Sequence, residues 1–213
     1  MAGQVVAMEL RFEMRVDAAG GGDVGRLDRI LVDPTSREAT HVVLRTPRLS
    51  EECLIALSEI AGNVEGRLLL RISESDLDHQ PRYYEGRKSA TPAQRVDYKP
   101  ATSWSSADPG VVAAERVPDD VCELGPGTTV SLTDGGVLTL LGLTTIDPTN
   151  QISSVTVRTD AKEYSVPAEW VGGISSEALT LSTTREQLQK LVGVPGGSYI
   201  TTEERKRGGE KAA

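Results

Sequence analysis

The side chains best suited to binding chemistry lie between residues 81 and 118, a stretch rich in Pro, Ser, Arg and Lys in which aromatic and cationic residues are interleaved. Such a mixture is typical of protein-interface hot spots, and its rings can also stack on the bases of single-stranded nucleic acid. The candidate partner-binding residues are Tyr83, Tyr84, Arg87, Lys88, Tyr98 and Trp104. The same rings could equally belong to a strap that covers neighbouring β-structure. Three interpretations therefore remain: a strap, which we favour, a protein interface and an RNA contact.

Gly20, Gly22 and Gly25 satisfy the pattern G-x-G-x-x-G, the fingerprint of loops that cradle phosphates. That chemistry needs a helix after the glycines, because the N–H groups at the start of the helix bind the pyrophosphate. Here the residues that follow have the pattern of a β-strand. The glycines therefore predict a hairpin turn and no nucleotide cofactor.

Histidine and cysteine residues do not form a metal-binding or catalytic pattern. His41 and His79 are distant from each other and lack an accompanying cluster of Cys or carboxylate residues, so neither a zinc site nor a general base is predicted. Cys53 and Cys122 have no metal-type spacing, and we expect reduced thiols because a disulfide would need an oxidising compartment. We predict no catalytic residue, no cofactor, no metal and no enzymatic activity.

Composition indicates a folded, acidic protein. The 213 residues carry a net charge of −8, and only 4% are aromatic, so the core must consist mostly of Val, Leu and Ile. A net negative charge disfavours non-specific nucleic-acid binding, which depends on Lys and Arg. No apolar run is long enough to span a membrane, and residues 1–6 lack the features of a secretory signal. We expect a cytoplasmic location.

A strand–turn–strand pattern occurs twice, about 114 residues apart. The turns contain Asp33-Pro34 in the first copy and Asp147-Pro148 in the second. Asp can hydrogen-bond to the backbone that follows it and Pro presets the backbone dihedral, so the pattern predicts a matched pair of turns. A repeat at this spacing favours two similar small domains, and it favours binding over catalysis.

The repeated strand ends in an arginine in both copies, Arg45 and Arg158. These residues could form matching salt bridges or matching anion contacts. A salt bridge is the commoner role of such a residue, and we favour it.

Period-two alternation, turn residues and helix-cap residues predict five or six short strands and a terminal helical segment in each copy. In the first copy the predicted strands are 8–16, 24–32, 39–46, 54–57 and 68–72, followed by a helical turn over 73–77 capped by Ser73. In the second copy they are 128–132, 137–146, 152–158, 163–166 and 178–181, followed by a helix over 183–191 capped by Ser182. Short strands in so few residues suggest small closed or nearly closed barrels.

Two groups of residues carry a family resemblance. They are Asp23 to Pro34 with Val42 to Leu44 in the first copy, and Ile146 to Pro148, Tyr164 to Val171 and Leu179 to Ser182 in the second. This pattern resembles the PRC-barrel superfamily of small β-barrels, and the Val-Pro-x-x-Trp-Val run of the second copy resembles a related bacterial domain of unknown function. The resemblance implies a fold. The functions of that superfamily are diverse, and no catalytic residues can be carried over.

The expected fold is all-β, with two tandem small PRC-like β-barrels that each end in a short helical turn. The predicted domains are 1–80 for barrel 1, 81–118 for the aromatic and basic linker, 119–195 for barrel 2 and 196–213 for a flexible tail. The favoured function is a non-enzymatic adaptor or scaffold that acts through protein–protein contacts, with self-association as an extension. The alternative is an RNA- or ribosome-assembly accessory factor that uses the linker, and an enzyme with a site between the barrels ranks third.

Overall fold

The computed structural model describes residues 6–47, 52–83, 121–159 and 162–191, and this part of the chain is mostly β-structure. We call 6–83 the first half and 121–191 the second half. The all-β class predicted from the sequence is confirmed. Neither of the helices in these ranges has the length and apolarity that a bilayer-crossing segment needs.

The two halves contain the same elements in the same order, except that β8 follows the terminal helix in the first half and has no counterpart in the described part of the second. The first half comprises β1 (Val6–Arg11), β2 (Arg15–Asp17), β3 (Asp23–Asp33), β4 (Glu38–Arg45), β5 (Glu52–Ala56), a 3-10 turn (Leu57–Glu59), β6 (Ile60–Val64), β7 (Arg67–Leu70), α1 (Glu74–Leu77) and β8 (Arg82–Tyr83). The second half comprises β9 (Cys122–Leu124), β10 (Thr129–Leu132), β11 (Val137–Asp147), β12 (Gln151–Arg158), β13 (Glu163–Pro167), a 3-10 turn (Ala168–Trp170), β14 (Val171–Ile174), β15 (Ala178–Leu181) and α2 (Arg185–Lys190).

Most predicted strands are confirmed to within two or three residues, with three differences. The predicted strand 8–16 is two strands, because Glu13 between them adopts a left-handed backbone (φ 63°). Strands β6, β8, β9 and β14 were not predicted. Strands β6 and β14 are short and contain glycine, which weakens a strand pattern, and β8 and β9 have only two and three residues. Ser73 caps α1 as predicted, but Thr184 rather than Ser182 caps α2, through a reciprocal capping box with Gln187.

The halves exchange their first strands. Strand β1 of the first half pairs antiparallel with β11 of the second, with Leu10 opposite Leu143. Reciprocally, β9 of the second half pairs with β3 of the first, with Leu124 opposite Ile30. Gly142 makes the approach of β1 possible, since a Cβ there would collide with the Leu10 carbonyl oxygen. The exchange joins both halves into one sheet.

The two Asp-Pro turns meet where β4 and β12 pair, but they are not identical. Both turns close with a hydrogen bond between residues four apart, from Arg37 N to Asp33 O and from Asn150 N to Ile146 O. Asp33 is therefore the first residue of its turn, whereas Asp147 is the second residue of the other turn. The expectation of a matched pair is wrong by one residue. The turns nevertheless bond to each other reciprocally, from Ala39 N to Asn150 O and from Ile152 N to Arg37 O, both at 3.0 Å.

One large apolar core spans both halves, and a smaller cluster of Leu31, Val43, Leu54, Tyr83 and Val121 lies apart from it. The sheet is mixed, because β2 pairs parallel with β7 and β10 pairs parallel with β15. Its main path runs β14-β15-β10-β11-β12-β4-β3-β2-β7-β6 and does not close into a barrel. Two tandem PRC-like barrels, with their domain bounds, thus stay a prediction.

Candidate functional site

Tyr83 is the one predicted partner-binding residue that lies within the described residues. Strand β8 places it opposite Glu52 of β5, and its side chain is only 7% exposed. The guanidinium carbon of Arg29 lies 5.7 Å from the centre of its ring. Burial, with a smaller effect of the Glu123 carboxylate, raises the pKa of the Tyr83 phenol far above its usual value, so the ring is neutral. For this residue the position fits the strap interpretation.

The other five residues of that prediction, Tyr84, Arg87, Lys88, Tyr98 and Trp104, lie outside the described residues. Their role as partner contacts remains a prediction.

Arg45, at the end of β4, is neutralised by carboxylates of its own half. Its Nη2 donates to both carboxylate oxygens of Glu13, at 2.6 and 2.7 Å, and its Nη1 lies 3.6 Å from Asp28 Oδ1. Glu13 is held by the short link between β1 and β2, where its N–H donates to the Leu27 carbonyl oxygen at 2.8 Å. The guanidinium is thus paired with a carboxylate that the fold positions itself.

Arg158, at the end of β12, occupies the equivalent place in the second half. The register shows this: Arg45 pairs with Arg26 across β3–β4, and Arg158 pairs with Thr139 across β11–β12. The residue that corresponds to Glu13 is Gly127, which has the same left-handed backbone (φ 98° against 63°) two residues before its strand. Among the described residues the exposed Arg158 side chain has no hydrogen-bond or ion-pair partner.

Arg185 adds a second cation beside Arg158. It is the first residue of α2, and the first residue of α1 is Glu74, so the sign of the charge is reversed between the halves. The start of α2 is fixed by Asp134, whose Oδ2 accepts from Arg185 N at 2.8 Å and whose Oδ1 accepts from Gly136 N at 3.0 Å. These hydrogen bonds, with a smaller effect of the Arg185 charge, lower the pKa of Asp134 below its usual value.

The two arginines line a shallow open groove of about 470 Å³. We call it the Arg158 groove; its lining consists of Gly127, Thr128, Thr129, Val137, Leu138, Thr139, Arg158, Thr159 and Arg185. It contains two cations, no acidic residue and four threonines, and it includes Val137, the most exposed of the large hydrophobic residues in the described ranges at 62%. Its chemistry suits an anion next to an apolar group.

Sequence reasoning found one member of this groove, Arg158, as one of two arginines expected to have matching roles. The structure shows that the roles do not match, because Arg45 forms salt bridges and Arg158 does not. Gly127 and Arg185 were missed. Comparison of the two copies residue by residue would have revealed both differences, Glu13 against Gly127 and Glu74 against Arg185.

The remaining candidates have local structural explanations. Nδ1 of His79 lies 3.0 Å from the Ser75 carbonyl oxygen within the same helical turn. Cys53 and Cys122 form no disulfide with each other, and their thiols lie near the carbonyl oxygens of Leu77 and Ile174 at 4.0 and 3.7 Å. Within the four described ranges, no group of three or more His, Cys, Asp or Glu residues comes together as a metal site would require.

Comparison with known proteins does not identify a family or a function for this chain. The sequence matches no protein-family model, and no curated protein is significantly similar to it. The case for a function therefore rests on the geometry of the Arg158 groove.

Proposed function

We propose that this chain is a non-enzymatic adaptor that acts through protein–protein contacts and holds a partner protein in the Arg158 groove. One observation carries the proposal: the groove presents Arg158 and Arg185 without acidic residues in its lining, beside the exposed Val137. Arginine next to apolar surface is typical of residues that dominate binding energy in protein interfaces.

The strand exchange stabilises the part of the sheet that carries the groove. Six groove residues come from β11, β12, the start of β10 and the first residue of α2, and the other three, Gly127, Thr128 and Thr159, lie within two residues of a strand end. Strand β11 is paired with β10, β12 and the exchanged β1, and the core beneath it contains Leu138 and Leu140 at 4% and 1% exposure. A site built on paired strands above a packed core loses little conformational entropy when it binds.

Charge favours a protein over a nucleic acid as the partner. The chain carries −8 overall, which repels a polyanion, whereas the positive charge of the groove is local and has an apolar neighbour. A local pair of arginines suits a discrete acidic group on a protein surface better than a long phosphate backbone.

A site-specific photocrosslinking experiment tests the proposal. A photoreactive amino acid would replace Val137, and in a matched control it would replace Asp23, the residue that has the same position in β3. In extracts of the source cell we expect a protein to be crosslinked at position 137 and lost when Arg158→Gln is added. Equal capture at position 23, or capture of RNase-sensitive material alone, would contradict the adaptor function.

The linker needs its own test, because the predicted contacts at Arg87 and Lys88 lie outside the described residues. Neutral variants of these two residues and of Arg95 would be compared with the native protein for binding to a mixed-sequence RNA at several salt concentrations. The adaptor proposal expects weak binding that the substitutions do not change. Tight, steeply salt-dependent binding that they abolish would instead support the RNA-accessory alternative.

A further inference from the structure

We infer that the Arg158 groove binds a carboxylate of an acidic protein segment, in the place that the Glu13 carboxylate occupies in the first half. The inference rests on the proposed adaptor function, since it specifies the chemistry of the partner at the same groove. Its basis is that the equivalent arginine of the first half, Arg45, already binds a carboxylate, that of Glu13.

In the first half, the arginine at the end of the repeated strand is bound by a carboxylate, in the contact between Glu13 and Arg45. One guanidinium nitrogen donates to both carboxylate oxygens at 2.6 and 2.7 Å, the short distances that charge-assisted hydrogen bonds have. The strand pair below this contact has the same register as the strand pair below Arg158. A carboxylate therefore fits the guanidinium at the end of the repeated strand in this fold.

The second half has the same backbone but lacks the carboxylate. Gly127 keeps the left-handed conformation of Glu13, and a Cβ added there would meet no atom within 4 Å. Among the described residues, nothing therefore blocks the point at which a side chain like that of Glu13 would leave the backbone. An external carboxylate can enter the groove without displacing any described residue.

Two further differences specify the segment that carries the carboxylate. Arg185 stands where the first half has Glu74, so the groove favours a second negative charge on the partner rather than repelling it. Val137 stands where the first half has Asp23, so the partner gains by placing an apolar side chain there. The preferred segment is one in which acidic residues alternate with an apolar residue.

The test introduces a glutamate into the second half at the position that Glu13 has in the first half. Gly127→Glu would place a carboxylate above Arg158, and Gly127→Gln is the matched control, because it has the same size and the same backbone demand but no charge. Binding of a fluorescent peptide of alternating Glu and Val would be measured by anisotropy, with circular dichroism as a check on folding. We expect Gly127→Glu to weaken binding by about tenfold or more and Gly127→Gln by much less, the difference expected for one charged hydrogen-bonded contact.

Arg158→Gln provides a second measurement that needs no strained backbone, and Arg15→Ala removes an exposed cation of the first half as its control. The inference predicts a loss of about tenfold for the former and little change for the latter. It is overturned if the peptide does not bind the native protein, if Gly127→Gln weakens binding as much as Gly127→Glu, or if inorganic phosphate or an RNA oligonucleotide displaces the peptide at a lower concentration than a Glu-containing competitor.

These outcomes separate the inference from the adaptor function. If the crosslink at position 137 forms and depends on Arg158, but no acidic peptide binds, the adaptor stands and the carboxylate assignment fails. If the peptide binds but no cellular protein is crosslinked, the chemistry of the groove stands and the adaptor function fails.

Discussion

The ends of the repeated strand in the two halves show how one backbone supports two different surfaces. Around Arg45 the chain supplies its own carboxylates, Glu13 and Asp28, and the charge is cancelled locally. Around Arg158 the corresponding positions supply no carboxylate, and a groove with two cations is open. The strand register below the two sites is the same, so the difference lies in a few surface side chains. Surface positions can differ at little cost, whereas buried positions cannot.

The largest effect is expected where the halves are alike, in the exchanged strands. Leu10 of β1 and Leu124 of β9 are both 0% exposed and occupy equivalent places. Leu10→Ala and Leu124→Ala should each lower the free energy of unfolding by about 3 kcal/mol, because each leaves a cavity in the shared core. Urea denaturation followed by circular dichroism would measure both. Two separate transitions, or an effect confined to one variant, would contradict the equivalence.

The next effect concerns the sign of the charge at the start of the terminal helix. Arg185→Glu gives the second half the residue type that the first half has in Glu74. We expect it to weaken binding of the acidic peptide by about tenfold, because it replaces an attractive charge with a repulsive one. Fluorescence anisotropy at low and moderate salt measures this, and the loss should shrink as salt increases. An unchanged affinity would show that Arg185 takes no part in the groove.

A smaller effect is expected from opening the first half. Glu13→Gly removes the carboxylate that closes Arg45 and should create a second, weaker peptide site, weaker because Asp28 still lies 3.6 Å from the guanidinium. Calorimetry would detect the second site as a stoichiometry that approaches two, and Glu13→Gln is the control that keeps the position filled. Since both side chains of the Glu13–Arg45 pair are about half exposed, losing the pair costs only about 0.5 kcal/mol, and glycine relieves the left-handed backbone at position 13, so we expect little net change in stability. If no second site appears, the carboxylate is not what closes the first half.

The smallest effect concerns the two turns. Asp33 accepts hydrogen bonds from the N–H groups of Thr35 and Ser36, and these bonds lower its pKa below the usual value. Its stabilising effect is therefore present above the pKa of the unfolded chain, about 3.9, and is lost as the pH falls through the lower pKa of the folded state. Asp33→Ala should lower the Tm slightly at pH 7, and the difference from the native protein should vanish towards pH 2. A difference that does not depend on pH would assign the effect to the turn backbone instead.

Local patterns predicted the elements well, because local physics determines them. Alternation and turn residues correctly located the long strands, and Ser73 with Asp76 correctly predicted a capped helical turn. The same reasoning missed β6 and β14, where glycines hide the pattern, and β8 and β9, which are too short to show an alternation. It joined β1 to β2, because Glu13 continues the alternation while its backbone breaks the strand. It also assumed that a repeated Asp-Pro must occupy a repeated place, although the turns differ by one residue.

The sequence by itself determined the all-β class, the twofold repeat and the identity of the two terminal arginines, because these depend on side-chain type and on short spacings. Only the tertiary structure decided that the halves exchange their first strands. It also decided that Glu13 pairs with Arg45 across 32 residues of sequence, whereas no described side chain forms a hydrogen bond or ion pair with Arg158. Strand exchange and ion pairing depend on which distant segments share the same surface. Packing of the whole core determines that, and no local pattern contains it.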